Sequence, residues 1–282
     1  MRSLPVVLLA LLAGGALACS KESPTPAGAT SSAPPAASPS SASPPSPPAG
    51  SSSPVSPRAT DHFATTKGDL AVVPLEHASV LFQWHGEAIY VDPTLSAVTD
   101  ASLPKADLIF ITHTHPDHFD PAAIERLRKT GTVLIGPQAA TEKAHVDLVM
   151  ANGDTKQVAD VVATAVPMYN LKRGPAPGKL YHDKGWGNGY ELDLGGTRVY
   201  LSGDTECTPE MKALEKIDVA FVCMNLPYTM PPSEAAACIA AFKPKVLFPY
   251  HYRGSDLGEL DRDLAGKGVE IRKREWYPAP AK

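Results

Sequence analysis

Six consecutive residues, His113-Thr114-His115-Pro116-Asp117-His118, offer four side chains that bind divalent metals. Imidazole and carboxylate at this density suit Zn²⁺, with Mn or Fe as further candidates, and one or two ions could be held. The segment follows directly on Ile109-Phe110-Ile111, an apolar run of strand length. Alternate residues leaving a strand point the same way, so His113 and His115 can hold one metal ion. Asp117 and His118 lie past Pro116, on the turn into a predicted helix, and face a second position nearby. Two cations about 3.5–4 Å apart lower the pKa of a shared water towards neutrality. That water can attack a carbonyl carbon or a phosphorus, and the cations balance the negative charge that develops. Asp117 is placed to orient the water and pass on its proton. Asp204 and His251 each stand just past the carboxyl end of a predicted strand, where ligand sites gather in α/β architectures.

The elements that must position these residues are legible from periodicity. Residues 80–84 and 88–92 read as two strands around His85-Gly86-Glu87, a hairpin. Asp107 to Ile111 is a continuous apolar run that suits a strand buried on both faces. Asp120 reads as the cap of a helix whose first residue is Pro121, with apolar residues at helical spacing behind it. Strands follow at Thr132–Ile135, within Val158–Val166, and on both sides of Gly195-Gly196, a strong hairpin signal. Asp218–Met224 is another buried strand, Ser233–Phe242 a helix capped by Ser233, and Val246–Tyr250 a late strand. This order, β-rich and then alternating β and α, occurs twice. It predicts two sheets packed face to face with helices outside.

Composition bounds the remainder. The chain has 282 residues and a formal net charge of −4, with no basic stripe that would mark a nucleic-acid surface. Arg2 precedes an apolar run, residues 5–13, too short to span a bilayer and shaped like a secretory signal. The run ends in Ala16-Leu17-Ala18-Cys19. Two readings stand: a lipoprotein signal, with Cys19 lipidated, or an ordinary signal peptide cleaved near Ala18. Residues 20–64 are rich in Ser, Pro and Ala and predict a tether that cannot bury enough apolar surface to fold. The folded domain is expected over residues 65–282. The expected location is therefore outside the cytoplasm, lipid-anchored at the bacterial cell envelope or periplasmic. Cys207, Cys223 and Cys238 remain, and sequence cannot choose a disulfide among them. Cys223, within an apolar run, reads as a buried small hydrophobe.

The six-residue motif resembles that of the metallo-β-lactamase superfamily, most of all the branch of ascorbate-6-phosphate lactonase-like and phospholipase D-like hydrolases. The resemblance runs over roughly residues 65–278. It includes His77-Ala78-Ser79-Val80 with Val91-Asp92-Pro93, similar to the family's opening hairpin, whose Asp braces the metal loop. Ser202-Gly203-Asp204-Thr205 resembles the segment of the bridging aspartate, and Tyr250-His251-Tyr252 that of the final histidine ligand. It implies an α/β (α+β) fold, the four-layer αββα sandwich, and a metal set of His113, His115, Asp117, His118, Asp204 and His251. The family supplies a third histidine to the first metal, where this chain has Val166-Pro167-Met168-Tyr169-Asn170. His182, in a Gly-rich loop that can approach a metal closely, is a candidate replacement ligand or substrate contact, and Tyr169 and Asn170 are candidates beside it. His145 reads as an exposed helix end.

Substrate selection is weakly encoded. Lys172 and Arg173 could receive a phosphate or carboxylate, or be solvated charges. Asn225 and Tyr228 follow a buried strand and could touch substrate at the site's rim. Trp186 could form an apolar wall. The function expected is a zinc-dependent hydrolase, acting through a metal-activated water on a small ester, lactone or phosphodiester at the cell envelope. A binding module with one metal or no catalysis is the alternative that the missing third histidine raises. β-Lactam hydrolysis is not implied, because a fold does not carry a substrate.

Overall fold

The computed structural model of the chain describes residues 59–277. The predicted signal, Cys19 and all of the predicted tether except its last few residues lie outside the described residues.

Two mixed sheets form the centre, each ordered as the chain runs. The first contains β1 (Asp61–Thr65), β2 (Gly68–Glu76), β3 (Ser79–Trp84), β4 (Glu87–Val91), β5 (Leu108–Phe110), β6 (Val133–Gly136) and β7 (Leu148–Val149). The second contains β8 (Thr155–Val158), β9 (Val161–Met168), β10 (Gly187–Leu194), β11 (Thr197–Leu201), β12 (Val219–Cys223), β13 (Val246–Tyr250) and β14 (Glu270–Ile271). In each sheet the first four strands pair antiparallel and the last four parallel. Parallel pairing demands crossovers, and α1 (Pro121–Leu127), α2 (Pro209–Lys212) and α3 (Pro232–Phe242) lie in three of them.

The sheets meet through alternate residues. Phe82 of the first sheet lies edge-on to Phe221 of the second at 5.8 Å, and Phe110 to Tyr190 at 5.2 Å. The opposite face of the first sheet, Leu81, Tyr90, Ile109 and Ile111, forms a separate core with Ala123, Ile124 and Leu127 of α1. On the far side of the second sheet, Tyr200 packs against Phe242 of α3. The layers are therefore helix, sheet, sheet, helix, as the resemblance implied. Every strand that carries a candidate ligand is covered on both faces. This is why residues 108–111 and 219–223 read as unbroken apolar runs instead of alternating ones.

The predicted turns are present. His85 and Gly86 both have positive φ between β3 and β4, as do Gly195 and Gly196 between β10 and β11, the backbone that two-residue hairpins require. Asp120 caps α1, accepting from the Ala122 and Ala123 amides, with Pro121 at its start.

Two expectations are corrected. The folded part begins before residue 65: β1 occupies positions assigned to the tether. Phe63 packs edge-on to Phe248, and the Asp61 carboxylate binds Arg272 and Arg274, partners too distant in sequence to read locally. Ser233 does not cap α3. Pro231 holds that position, and Pro232 opens the helix, because its ring presets the helical φ and it lacks the N–H a cap would serve. The disulfide left open joins Cys207 to Cys238, with Cα atoms 5.5 Å apart, and Cys223 is buried and free. Among the described residues no helix is long and apolar enough to cross a membrane.

Candidate metal centre

The site gathers at the carboxyl ends of the parallel strands of both sheets. Asp92 follows β4, the His113–His118 segment follows β5, Asp204 follows β11 and His251 follows β13. Three groups of side chains could each hold an ion: His113 with His115 and His182; His113 with His118 and Asp204; and His77 with Asp117, His118 and His251.

In the first group, His115 Nδ1 lies 3.2 Å from His113 Nε2 and 3.2 Å from His182 Nε2. Three ring nitrogens converging on one point with that spacing suit a cation. Bonds of about 2.0–2.1 Å in a tetrahedral array would set nitrogens roughly 3.3–3.4 Å apart. Neighbours decide which nitrogen His113 and His182 present. Thr112 Oγ1 donates to Asp92 Oδ2 at 2.6 Å, so it accepts the Nδ1 proton of His113 at 3.0 Å and leaves Nε2 with its lone pair. His182 Nδ1 donates to Asn170 Oδ1 at 2.7 Å, with the same result. Trp186 closes this side, its ring 4.8 Å from that of His115 and 5.4 Å from that of His113.

Asp204 stands between the groups. Its Oδ2 is 3.6 Å from His182 Nε2, while Oδ1 is 3.3 Å from His118 Nε2 and 3.5 Å from His251 Nε2. One oxygen towards each group is the disposition of a bridging carboxylate. His118 Nδ1 donates to Asp92 Oδ2 at 2.8 Å, so Nε2 is the atom facing Asp204. His118 Nε2 and Asp204 Oδ1 are both buried and without a hydrogen-bond partner. Buried polar atoms are rarely left so. A cation is the partner this donor set fits, and the described ligand atoms could hold one ion on each side of Asp204.

Electrostatics point the same way. Burial pushes His113 well below the ordinary imidazole pKa and His182 down to about 4, so both rings are neutral donors at physiological pH. Burial would lower His118 too, but Asp204 and Asp92 on its two nitrogens hold it well above the ordinary value. Burial would raise Asp204, yet His251 and His118 outweigh it and keep the carboxyl ionised. Asp117, likewise desolvated in part, is held far below the carboxylate range by hydrogen bonds from His251 and His77. A buried pair such as His118 and Asp204 calls for positive charge between them, which a proton or a metal ion can supply.

The structure brings all six expected ligands together and adds His182 beside His113 and His115. Asn170 is fully buried and positions His182, accepting from both its backbone N and its ring; its amide nitrogen donates to the Tyr228 carbonyl. Tyr169 points elsewhere, its hydroxyl donating to Glu210 at 3.0 Å. Tyr228 is 46% exposed and meets Tyr181 edge-on, and Asn225 forms the turn with Thr229. Lys172 and Arg173 are taken by Glu234 and Glu206, so neither is free to receive an anion. His145 is exposed, as expected.

His77 belongs to the opening hairpin by sequence, and its ring joins the site. His77, in the turn between β2 and β3, has Nε2 3.0 Å from Asp117 Oδ2. The Tyr277 hydroxyl accepts from the backbone N of Tyr252 and of Arg253, so its own proton goes to His77 Nδ1 at 3.1 Å. His77 therefore carries its proton on Nε2 and donates it to Asp117, which makes it a positioning residue for that carboxylate. The sequence signal was weak, a lone histidine 40 residues from its partner.

Residues 72–251 match the family described as the β-lactamase superfamily domain. A UPF0173 metal-dependent hydrolase of Thermus thermophilus is 31% identical over 191 residues, which are 63% of this chain and 81% of that protein. Another, from Thermococcus kodakarensis, is 29% identical over 215 residues, 70% of this chain and 92% of that one. Among solved structures, a protein of Parabacteroides distasonis assigned as a metal-dependent hydrolase superposes with a TM-score of 0.74 at 40% identity, covering 78% of this chain and 100% of that one. A metallo hydrolase of Ignicoccus hospitalis shares the fold, with a TM-score of 0.60 at 22% identity over 72% of this chain and 94% of that one. With its candidate ligand residues gathered as they are, the chain belongs to the β-lactamase superfamily, in the metallo-β-lactamase fold, as a metal-dependent hydrolase of the UPF0173 family.

Proposed function

We propose that the protein is a zinc-dependent hydrolase of a small ester, lactone or phosphodiester, working at the cell envelope. The observation that carries the reading is His182. It supplies the nitrogen that the sequence lacks at the family's usual position, its lone pair turned inward by Asn170. A three-nitrogen group beside a carboxylate that faces both groups is a donor set for zinc. When bound, the ions would supply a Lewis acid and an activated water near neutral pH. The chain's own residues then divide the work. Asp204 holds the two groups at a fixed separation. Asp117, its Oδ2 tied to His77, is half exposed and reaches the solvent side, where its carboxylate can accept a hydrogen bond from the attacking water and orient it. Trp186 limits water on the first side. The Cys207–Cys238 disulfide supports an exported location, since such bonds persist in oxidising compartments.

The test is metal content by plasma mass spectrometry, wild type beside His182→Ala, with ester, lactone and phosphodiester turnover measured before and after chelation. The expected result is about two zinc per chain in wild type, about one in the variant, and turnover lost with the metal. One or fewer ions in both proteins, or turnover indifferent to chelator, would overturn it.

A further inference from the structure

Beside the Asp117 end of the cluster lies a groove of about 420 Å³ whose lining the ligand set does not explain. His77 and Asp117 border it on the metal side, the Thr94-Leu95-Ser96 loop and Arg253 on the others. Arg253 is exposed but not loose. Its guanidinium carbon lies 4.7 Å from the centre of the Tyr277 ring, and its backbone N donates to the Tyr277 hydroxyl at 3.0 Å. That hydroxyl also donates to His77 Nδ1, so one residue fixes the cation relative to Asp117.

The charge on Arg253 is otherwise unanswered. Arg173, Arg198, Arg272 and Arg274 each face a carboxylate; among the described residues Arg253 forms no such pair. Two of the acids on the groove have oxygens already engaged. Asp120 accepts from the Leu95, Ala122 and Ala123 amides, and Asp117 faces His77 and His251. Glu76 and Asp120 are the lining carboxylates whose charge would oppose an anion, because amide donors leave the Asp120 charge in place. The hydroxyls of Thr94 and Ser96, 3.3 Å apart, are further donors on the same groove.

Resting on the hydrolase reading of the adjoining site, we propose that Arg253 and the Thr94–Ser96 loop form a subsite for an anionic group of the substrate, a carboxylate or a phosphate ester, held beside the bond that is cut. A planar guanidinium fixed on an aromatic face binds an oxyanion through two parallel N–H bonds, which a neutral substrate cannot use. The subsite selects charged esters and lactones and orients them from the Asp117 side.

The experiment titrates inorganic phosphate and, separately, succinate into the zinc-loaded full chain by calorimetry. Wild type is compared with Arg253→Ala, Arg253→Gln and Arg253→Lys, with metal content checked in each. The expected result is a loss of affinity of about tenfold in Arg253→Ala and Arg253→Gln for at least one anion, partly restored in Arg253→Lys, at unchanged metal content. The Gln variant keeps a stem on Tyr277, which separates loss of the charge from loss of packing. Loss for phosphate alone assigns a phosphate ester, and loss for succinate alone assigns a carboxylate. Wild-type affinity for both anions in the Ala and Gln variants, or no binding of either to wild type, overturns the subsite. Arg253-dependent binding in a chain that hydrolyses nothing would keep the subsite and remove the hydrolase reading.

Discussion

His113, His118 and His182 each present a particular nitrogen because a neighbour takes the other, and Asp92 does this for two of them. Its Oδ1 accepts from the Thr112 amide at 2.7 Å, and its Oδ2 from the Thr112 hydroxyl and His118 Nδ1. Through Thr112 it also sets His113. Asp92 is fully buried and touches no substrate space, so its effect passes through the rings it orients. Asp92→Asn keeps the volume but offers an amide where two donors need a carboxylate. We expect zinc affinity to fall about 10- to 100-fold, measured by competition with a chromogenic chelator, with the fold checked by circular dichroism. Unchanged affinity would mean that the rings hold their orientation without Asp92.

At the scale of elements, the site is made by turns under backbone constraint. His77, Asp92 and His251 all have φ near +50°, a region that non-glycine residues seldom occupy. The first of these turns is tied to the third, because the His251 amide donates to the His77 carbonyl at 3.0 Å, joining the ends of β2 and β13 across the two sheets. Glycine is required where β10 passes beneath the metal loop. A Cβ on Gly187 would sit 2.9 Å from both His113 Cβ and the Thr112 carbonyl, and 2.7 Å from the Met168 methyl. Gly187→Ala should therefore cost about 1–3 kcal/mol in denaturant-measured stability and displace His113, weakening the first metal group. Stability and zinc stoichiometry both equal to wild type would show that the loop yields without penalty.

At the scale of the whole molecule, the two sheets repeat one plan, and the site lies where their parallel ends face each other. The Cys207–Cys238 disulfide ties the segment just past Asp204 to α3, outside the second sheet. A chain held in this way fits a cell envelope, and we expect its mature form to begin at Cys19, lipidated and recovered with membranes. Intact mass of the native protein checks this, since an unmodified chain starting after Ala18 in the soluble fraction would make it periplasmic and unanchored.

The sequence by itself marked the donor-rich segment at the heart of the centre. Four potential ligands in six residues after a buried strand are a local pattern, as are the hairpin glycines, the Asp120 cap and the apolar strands. Segments whose order depends on distant partners were not legible. β1 looked like tether because Asp61 needs Arg272 and Arg274, more than 200 residues away. His77 looked like a hairpin residue because Asp117 and Tyr277 meet it only after the sheets close. His182 stands in the sequence as a candidate replacement ligand or substrate contact beside Tyr169 and Asn170, and only packing brings its ring to Asn170 and His115. By sequence Lys172 and Arg173 could receive an anion or be solvated charges, and packing against Glu206 and Glu234 decides against the anion, while Arg253 forms no such pair among the described residues. Residue type fixes what a side chain can do; which partner it meets, and so which of those things it does, is a property of packing between segments far apart in the chain.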